Sequence, residues 1–188
     1  ANYRQEGNRL TSGEKDDWVI RDISVHLEYL KASIEATEAE IQNFTNQTPG
    51  LKAKQELLVS IPGVGKKTSA RLLAEIGEIN RFENAPQLAA YAGLNPKGFS
   101  SGSSVHKKTR ISKQGRSELR ACLYMPAIVA MTHNPVVRAL KERLQKKQLP
   151  TMAIIAACMR KLLHIVYGVL KSQMPFDPDY DRQFNFSS

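Results

Sequence analysis

Along the first part of the chain, apolar residues recur at alternating intervals of four and three positions. This heptad spacing places them on one side of a helix, in a seam that needs a partner helix to be buried. We therefore predict a coiled-coil helix or a long antiparallel hairpin arm over residues 14–47. The partner is a second copy of the chain, which we favour, or the chain's own domain. The seam consists of Ile23, Leu27, Leu30, Ile34, Thr37, Ile41 and Phe44, of which Thr37 alone is polar.

The rest of the 188 residues predicts a compact helical domain over 48–175. The stretch from Thr151 to Lys171 is apolar on nearly all sides, which is typical of a central core helix. Because no alternation of strands and helices is visible, we expect a mainly α fold. Residues 1–13, which lack a starting Met, are interpreted as a polar leader from a truncated N-terminus, and residues 176–188 as a proline-interrupted tail.

Composition argues against a metal site and against a membrane span. Cys122 and Cys158 lie in apolar helical patterns without metal-ligand spacing, which predicts reduced, buried thiols. No apolar run reaches the roughly 18 residues of a span, and the N-terminus does not resemble a signal peptide. We therefore expect no metal, no membrane and a cytoplasmic location. The four histidines are scattered: His26, His106, His133 and His164.

The net charge of +9 is concentrated in the second half of the chain. Residues 1–58 hold seven basic and ten acidic side chains, whereas residues 97–188 hold sixteen basic and five acidic ones. Such a segment is a candidate for binding a polyanion, although cation clusters are also common on purely solubilising faces.

Residues 51–77 contain the sequence IPGVGKK followed by an amphipathic helix, the pattern of a helix-hairpin-helix motif. Gly63 and Gly65 would let the backbone turn tightly, so that amide N–H groups and the helix N-terminus face a phosphate. Lys66 and Lys67 add positive charge there. The alternative is an ordinary turn between two core helices.

Residues 96–116, PKGFSSGSSVHKKTRISKQGR, are expected to form an irregular basic loop rich in serine. The isolated Val105 and Ile111 would allow two short strands without requiring them. A hydrolase nucleophile turn is disfavoured, because no apolar strand precedes the G-x-S-x-G match, and no phosphate-binding P-loop spacing is present. A plain linker stays open, but cations surround the serines and would attract a phosphodiester. These cations are Lys97, Lys107, Lys108, Arg110, Lys113 and Arg116, with Arg120 in the next helix.

Several motifs between residues 14 and 175 resemble a known family. They are P-G-V-G, then F-x-x-A-x-x-L-A-A-Y-A-G-L-x-P, the S-G loop, and I-S-K-x-G followed by L-R. Together they resemble the C-terminal domain of the DEDD/serine transposases of the IS-one-ten group of insertion sequences, which are related to Piv-type pilin-gene invertases.

The resemblance implies a site and partners. The family's reactive serine precedes a glycine, which corresponds to Ser101 here, with Ser100, Ser103 and Ser104 as alternatives. Members carry Mg²⁺ on four acidic residues of an N-terminal RuvC-like domain that has no counterpart in this sequence, so no cofactor is expected in this fragment. Some members use a bridge RNA as guide. Lys113, Gly115 and Arg120 match the I-S-K-x-G and L-R positions and would hold the DNA backbone, with Arg110 and Arg116 beside them.

We therefore expect the DNA-binding, serine-nucleophile part of a bacterial or archaeal transposase or site-specific recombinase, associated with the nucleoid and inactive by itself. The alternative is a non-catalytic helix-hairpin-helix module that binds nucleic acid and oligomerises through its seam. A scaffold whose seam binds another protein is a third interpretation.

Overall fold

The computed structural model describes residues 4, 5, 7, 8, 17–101 and 105–179, without the side chains of residues 97–110. The backbone divides into two compact units, residues 1–49 and 50–188. The predicted domain boundaries stay a prediction beside this division.

Within residues 17–49 of the first unit, a long helix, α1 (Asp17–Gln47), is continuous over 31 residues. Its seam is unevenly covered: Ile23 is 7% exposed, whereas Ile34 and Ile41 are 45% and 49% exposed and Phe44 is 65% exposed. An apolar stripe with this spacing requires a partner to be buried. Partnering of the seam therefore stays a prediction.

The second unit is mainly helical, as predicted. A short 3₁₀ turn, Ile79–Arg81, lies between two of its α-helices. The α-helices are α2 (Pro49–Val59), α3 (Lys66–Ile76), α4 (Ala85–Tyr91), α5 (Ser117–His133), α6 (Pro135–Lys146) and α7 (Thr151–Ser172).

The loop expected to be irregular contains an antiparallel pair of strands, β1 (Pro96–Ser101) and β2 (Val105–Ile111). The register shifts between Lys97 and Phe99. The two short strands that the sequence allowed without requiring them are therefore present, and backbone pairing defines them without an alternation of apolar side chains.

Asparagine side chains cap the N-termini of two of the helices. Asn84 Oδ1 accepts a hydrogen bond of 2.9 Å from the Gln87 amide at the start of α4. The buried Asn134 Oδ1 accepts 3.1 and 3.2 Å hydrogen bonds from Val136 and Val137 at the start of α6. Both asparagines satisfy amides that have no partner within the helix.

Helix α7 is the central core helix, as its composition predicted. It packs against α4, α5 and α6. Its buried residues are Ile154, Ile155, Cys158, Met159, Leu162, Leu163, Val166, Val169 and Leu170.

The expectation that no segment could span a membrane needs correction. By length and composition α7 could cross one, with a mean hydropathy of 1.7 over its most apolar window, half of which is buried. An uninterrupted apolar run is not required, because a span tolerates one or two charges such as those of Arg160 and Lys161. Core helices that pack on several sides pass the same test.

Both cysteines are buried and unpaired, which confirms the prediction of buried thiols. Burial raises the pKa of Cys122 and of Cys158 to about 11. Neither thiol therefore ionises appreciably at neutral pH.

The turn between α2 and α3 is packed tightly against α5. Gly63 has a φ of +104°, and a Cβ on it would lie 2.9 Å from the Cβ of Ala130 and 3.0 Å from the carbonyl oxygen of Pro126. Gly65 has a φ of −89° and open space around its Cβ position. Gly63 is therefore required by packing inside the unit, whereas Gly65 is free of that constraint.

We predict that Gly63→Ala lowers the free energy of unfolding by at least about 2 kcal/mol, because the new Cβ meets Ala130 and the backbone conformation is strained. Urea unfolding followed by circular dichroism measures the change.

Gly65→Ala is the matched control and should cost less than about 1 kcal/mol, since Gly65 only begins α3. Equal losses in the two variants would contradict the packing role of Gly63.

Candidate nucleic-acid interface

Two segments that are distant in sequence are joined by backbone hydrogen bonds. The Ser112 amide donates to the Asn95 carbonyl at 2.8 Å, Lys113 donates to Gly93 at 3.1 Å, and Arg116 donates to Tyr91 at 2.8 Å. We call residues 91–95 and 112–116 the backbone clasp. These segments contain the Y-A-G-L-x-P and I-S-K-x-G motifs. Both motifs therefore have a structural role, which is to form this backbone contact.

Glycines make the close approach within the clasp possible. Gly93 and Gly115 have φ values of +69° and +140°. A Cβ on Gly115 would collide with the Tyr91 carbonyl, and one on Gly93 would lie 2.9 Å from the Gln114 carbonyl oxygen. Since L side chains rarely adopt these conformations, glycine is needed at both positions.

Arg120 closes the clasp from α5. Its Nη1 donates a 2.9 Å hydrogen bond to the Ala92 carbonyl, and the side chain is half-buried. The sequence assigned Arg120 and Gly115 to holding DNA. Their contacts in this unit hold the clasp together, because Gly115 admits the Tyr91 carbonyl and Arg120 satisfies that of Ala92.

The clasp lies at the base of the β1–β2 hairpin. Pro96 pairs with Ile111 beside it, and Ser101 pairs with Val105 at the other end of β1. Lys107, Lys108 and Arg110 lie on β2, where their side chains are outside the description. Gly102, Ser103 and Ser104 lie outside the described residues, and for Ser100 and Ser101 only the backbone is described.

Among the cations of the clasp, Arg116 forms a salt bridge with a carboxylate of α3. Its Nε and Nη2 donate to Glu75 Oε2 at 3.2 and 2.9 Å, and this hydrogen bond raises the pKa of the Arg116 guanidinium. Lys113 is exposed at a φ of +55°. The positive charge of Arg116 is therefore partly offset, and Lys113 faces water.

The predicted hairpin of helices presents a second group of cations. Lys66 and Lys67 are exposed in the first turn of α3. The N-cap residue of this helix, Gly65, provides no side-chain hydrogen bond to its free amides. Amides at such an N-terminus attract anions. Glu75, which pairs with Arg116, lies nine residues along the same helix, about 14 Å away at 1.5 Å per residue. The predicted site residues therefore form two groups at opposite ends of α3.

Arg81 is an exposed cation near the clasp that was not predicted from the sequence. The guanidinium carbon of Arg81 lies 4.7 Å from the centre of the Phe82 ring and 4.6 Å from that of Tyr91. The planes of the two rings are tilted by 59° with their centres 5.3 Å apart, and both rings hold the guanidinium in place. The sequence shows only that Arg81 and Phe82 are neighbours. Tyr91 comes into contact with them only when the chain folds.

No group of three or more His, Cys, Asp or Glu residues that could hold a metal ion occurs within the part of the chain that the structure describes.

Comparison with known proteins connects this geometry to a family. Residues 55–142, which include the turn at Gly63, the clasp and Arg120, match the Transposase IS116/IS110/IS902 family. The pilin gene-inverting protein of Moraxella bovis is 42% identical over 146 residues, which cover 77% of this chain and 45% of that protein. The corresponding protein of Moraxella lacunata gives the same figures.

An insertion element IS110 protein of 43.6 kDa from Streptomyces coelicolor is 27% identical over 155 residues, covering 82% of this chain and 37% of that protein. The chain spans less than half the length of these curated relatives. By these matches, the chain is related to the IS116/IS110/IS902 family of transposases and to the pilin gene-inverting proteins.

Proposed function

We propose that this chain binds DNA and carries the serine nucleophile of a transposase or site-specific recombinase. The observation that supports this most is the backbone clasp, because it uses the family's motifs to anchor the hairpin on which Ser101 lies. Reactive groups on loops need such a rigid base to be positioned.

The proposed reaction is a transesterification. The Ser101 hydroxyl loses its proton, and its Oγ forms a bond to the phosphorus of a phosphodiester. The bond from phosphorus to one sugar oxygen breaks, and that oxygen takes up a proton. Rejoining reverses these steps on another strand end. One phosphoester replaces another, so that strand exchange needs no external energy source.

Cations of this chain favour that step in two ways. Lys113 and the lysines and arginine of β2 raise the local concentration of a phosphodiester and stabilise the extra negative charge of the transition state. At the other end of α3, Lys66 and Lys67 would bind the backbone of the flanking duplex without reading its sequence.

A metal-binding domain, a guide RNA and a second copy of the chain would complete the proposed assembly. The Mg²⁺-binding acidic residues would belong to a RuvC-like domain in the remainder of a longer protein. A bridge RNA is a further proposed partner, and the seam of α1 would join copies of the chain. The site of action is the bacterial or archaeal nucleoid in the cytoplasm.

Ser101→Ala in the full-length protein should abolish the covalent protein–DNA adduct, because no Oγ is left to attack phosphorus. Denaturing gel electrophoresis of protein incubated with labelled substrate DNA detects the adduct.

Ser100→Ala, Ser103→Ala and Ser104→Ala are the matched controls and should retain it. An adduct at the original level in Ser101→Ala would remove Ser101 from the proposal. Full recombination without Ser101 would favour the non-catalytic binding module.

Replacing Lys66 and Lys67 together by alanine should weaken duplex DNA binding and lower the slope of log affinity against log salt by about 2, one for each lost phosphate contact. Fluorescence anisotropy of labelled duplex across a salt series measures both quantities.

The matched control replaces Lys146 and Lys147, another exposed adjacent pair, at the end of α6. An unchanged slope in the Lys66 and Lys67 variant would argue against phosphate binding by the hairpin of helices.

Leu30→Lys should lower the molar mass measured by light scattering, because it puts a charge into the middle of the seam of α1. Val25→Lys adds the same charge at an exposed position outside the seam and should leave the mass unchanged. An unchanged mass in Leu30→Lys would favour packing of the seam within one chain.

A further inference from the structure

A broad groove runs along the second unit beside the base of the hairpin. It lies between α5 and α7 and has a volume of about 1250 Å³. Pro96 and Ile111, the pair that begins the hairpin, form part of its wall. Its lining is mainly apolar, with the small residues Ala121, Ala153 and Ala156 leaving room between the two helices.

The charge of the groove has one sign. Lys113, Arg120 and Arg160 line it, and no carboxylate does among the residues that the structure describes. The Nε of Arg160 is buried and has no hydrogen-bond partner among the described residues. An anion that entered the groove would therefore meet only cations and would offer Arg160 an acceptor, which buried donors require.

An aromatic ring is also available there. Tyr124 lines the groove from α5 and is 36% exposed, and Met152 faces it from α7 at 63% exposure. Large apolar side chains exposed beside cations mark a surface that another molecule covers. A planar ring could lie on Tyr124 above the alanines without displacing any core residue.

We propose that this groove binds an unpaired segment of a nucleic-acid strand, with a base stacked on Tyr124 and phosphates held by Lys113 and Arg160. Stacking platforms combined with cations are the general means of holding single strands. A duplex keeps its bases stacked inside and offers no ring to Tyr124. An acidic apolar peptide would carry the same negative charge as a nucleic acid. However, the basic hairpin begins at the wall of the groove and extends the positively charged surface, as a long polyanion requires.

This inference rests on the proposed function and adds a place for the strand. A single strand in the groove would pass the pair of Pro96 and Ile111 and continue toward the hairpin that carries Ser101. DNA that must be cut and rejoined has to open locally, and the groove would hold the opened segment next to the nucleophile.

Binding of a labelled single-stranded thymidine oligonucleotide to the 188-residue chain tests the groove. Tyr124→Ala should weaken this binding about tenfold, in the range expected for loss of one stacking ring. Tyr124→Phe, which keeps the ring, should restore it. Ala121→Glu, which adds a carboxylate at an exposed position of the groove, should weaken it independently of the tyrosine.

Met125→Ala is the control, because Met125 is 61% exposed on the same helix and does not line the groove. Unchanged single-strand affinity in both Tyr124→Ala and Ala121→Glu, with normal duplex binding, would overturn the groove and leave the proposed function standing. Failure of the unaltered chain to bind either nucleic acid would overturn both. A change in molar mass caused by Tyr124→Ala would instead make the groove an interface between copies, and it too would overturn the inference.

Discussion

The hydrogen bonds between residues 91–95 and 112–116 determine where the β-hairpin leaves the helical unit. They cross about twenty residues of sequence, and each bond also supplies a partner for a backbone group next to the core. Gly93 and Gly115 make the contact sterically possible, and Arg120 secures it from α5. The hairpin, the groove beside it and the exposed Lys113 all take their positions from this junction.

Local sequence signals predicted the helical elements well, since their causes lie within a few residues. Heptad spacing gave the long helix, the apolar stretch of α7 gave the central core helix, and the burial of both cysteines followed from their apolar neighbours. The hairpin was harder to predict. Its β-branched residues are sparse, so no alternating pattern in the sequence predicts the pairing of β1 with β2.

The roles of single cations could not be read from the sequence for a related reason. Arg120 binds the carbonyl of a residue 28 positions away, and Arg116 pairs with a carboxylate 41 positions away. Before folding, each belongs to one uniform run of positive charge. Folding divides that run into cations that bind the protein's own groups and cations that face water. Gly63 shows the same effect: its sequence context suggested a phosphate, and its closest neighbours are atoms of α5.

Burial of Cys122 and Cys158 has a practical consequence for chemical probing. Because burial raises the pKa of both thiols to about 11, they are protonated at neutral pH, and their thiolate fraction is far lower than that of an ordinary exposed cysteine. A cysteine introduced on the hairpin would therefore react with maleimides or disulfide reagents well before either native thiol. Spectroscopic labels and crosslinks to DNA can be attached to the native background without first removing its own cysteines.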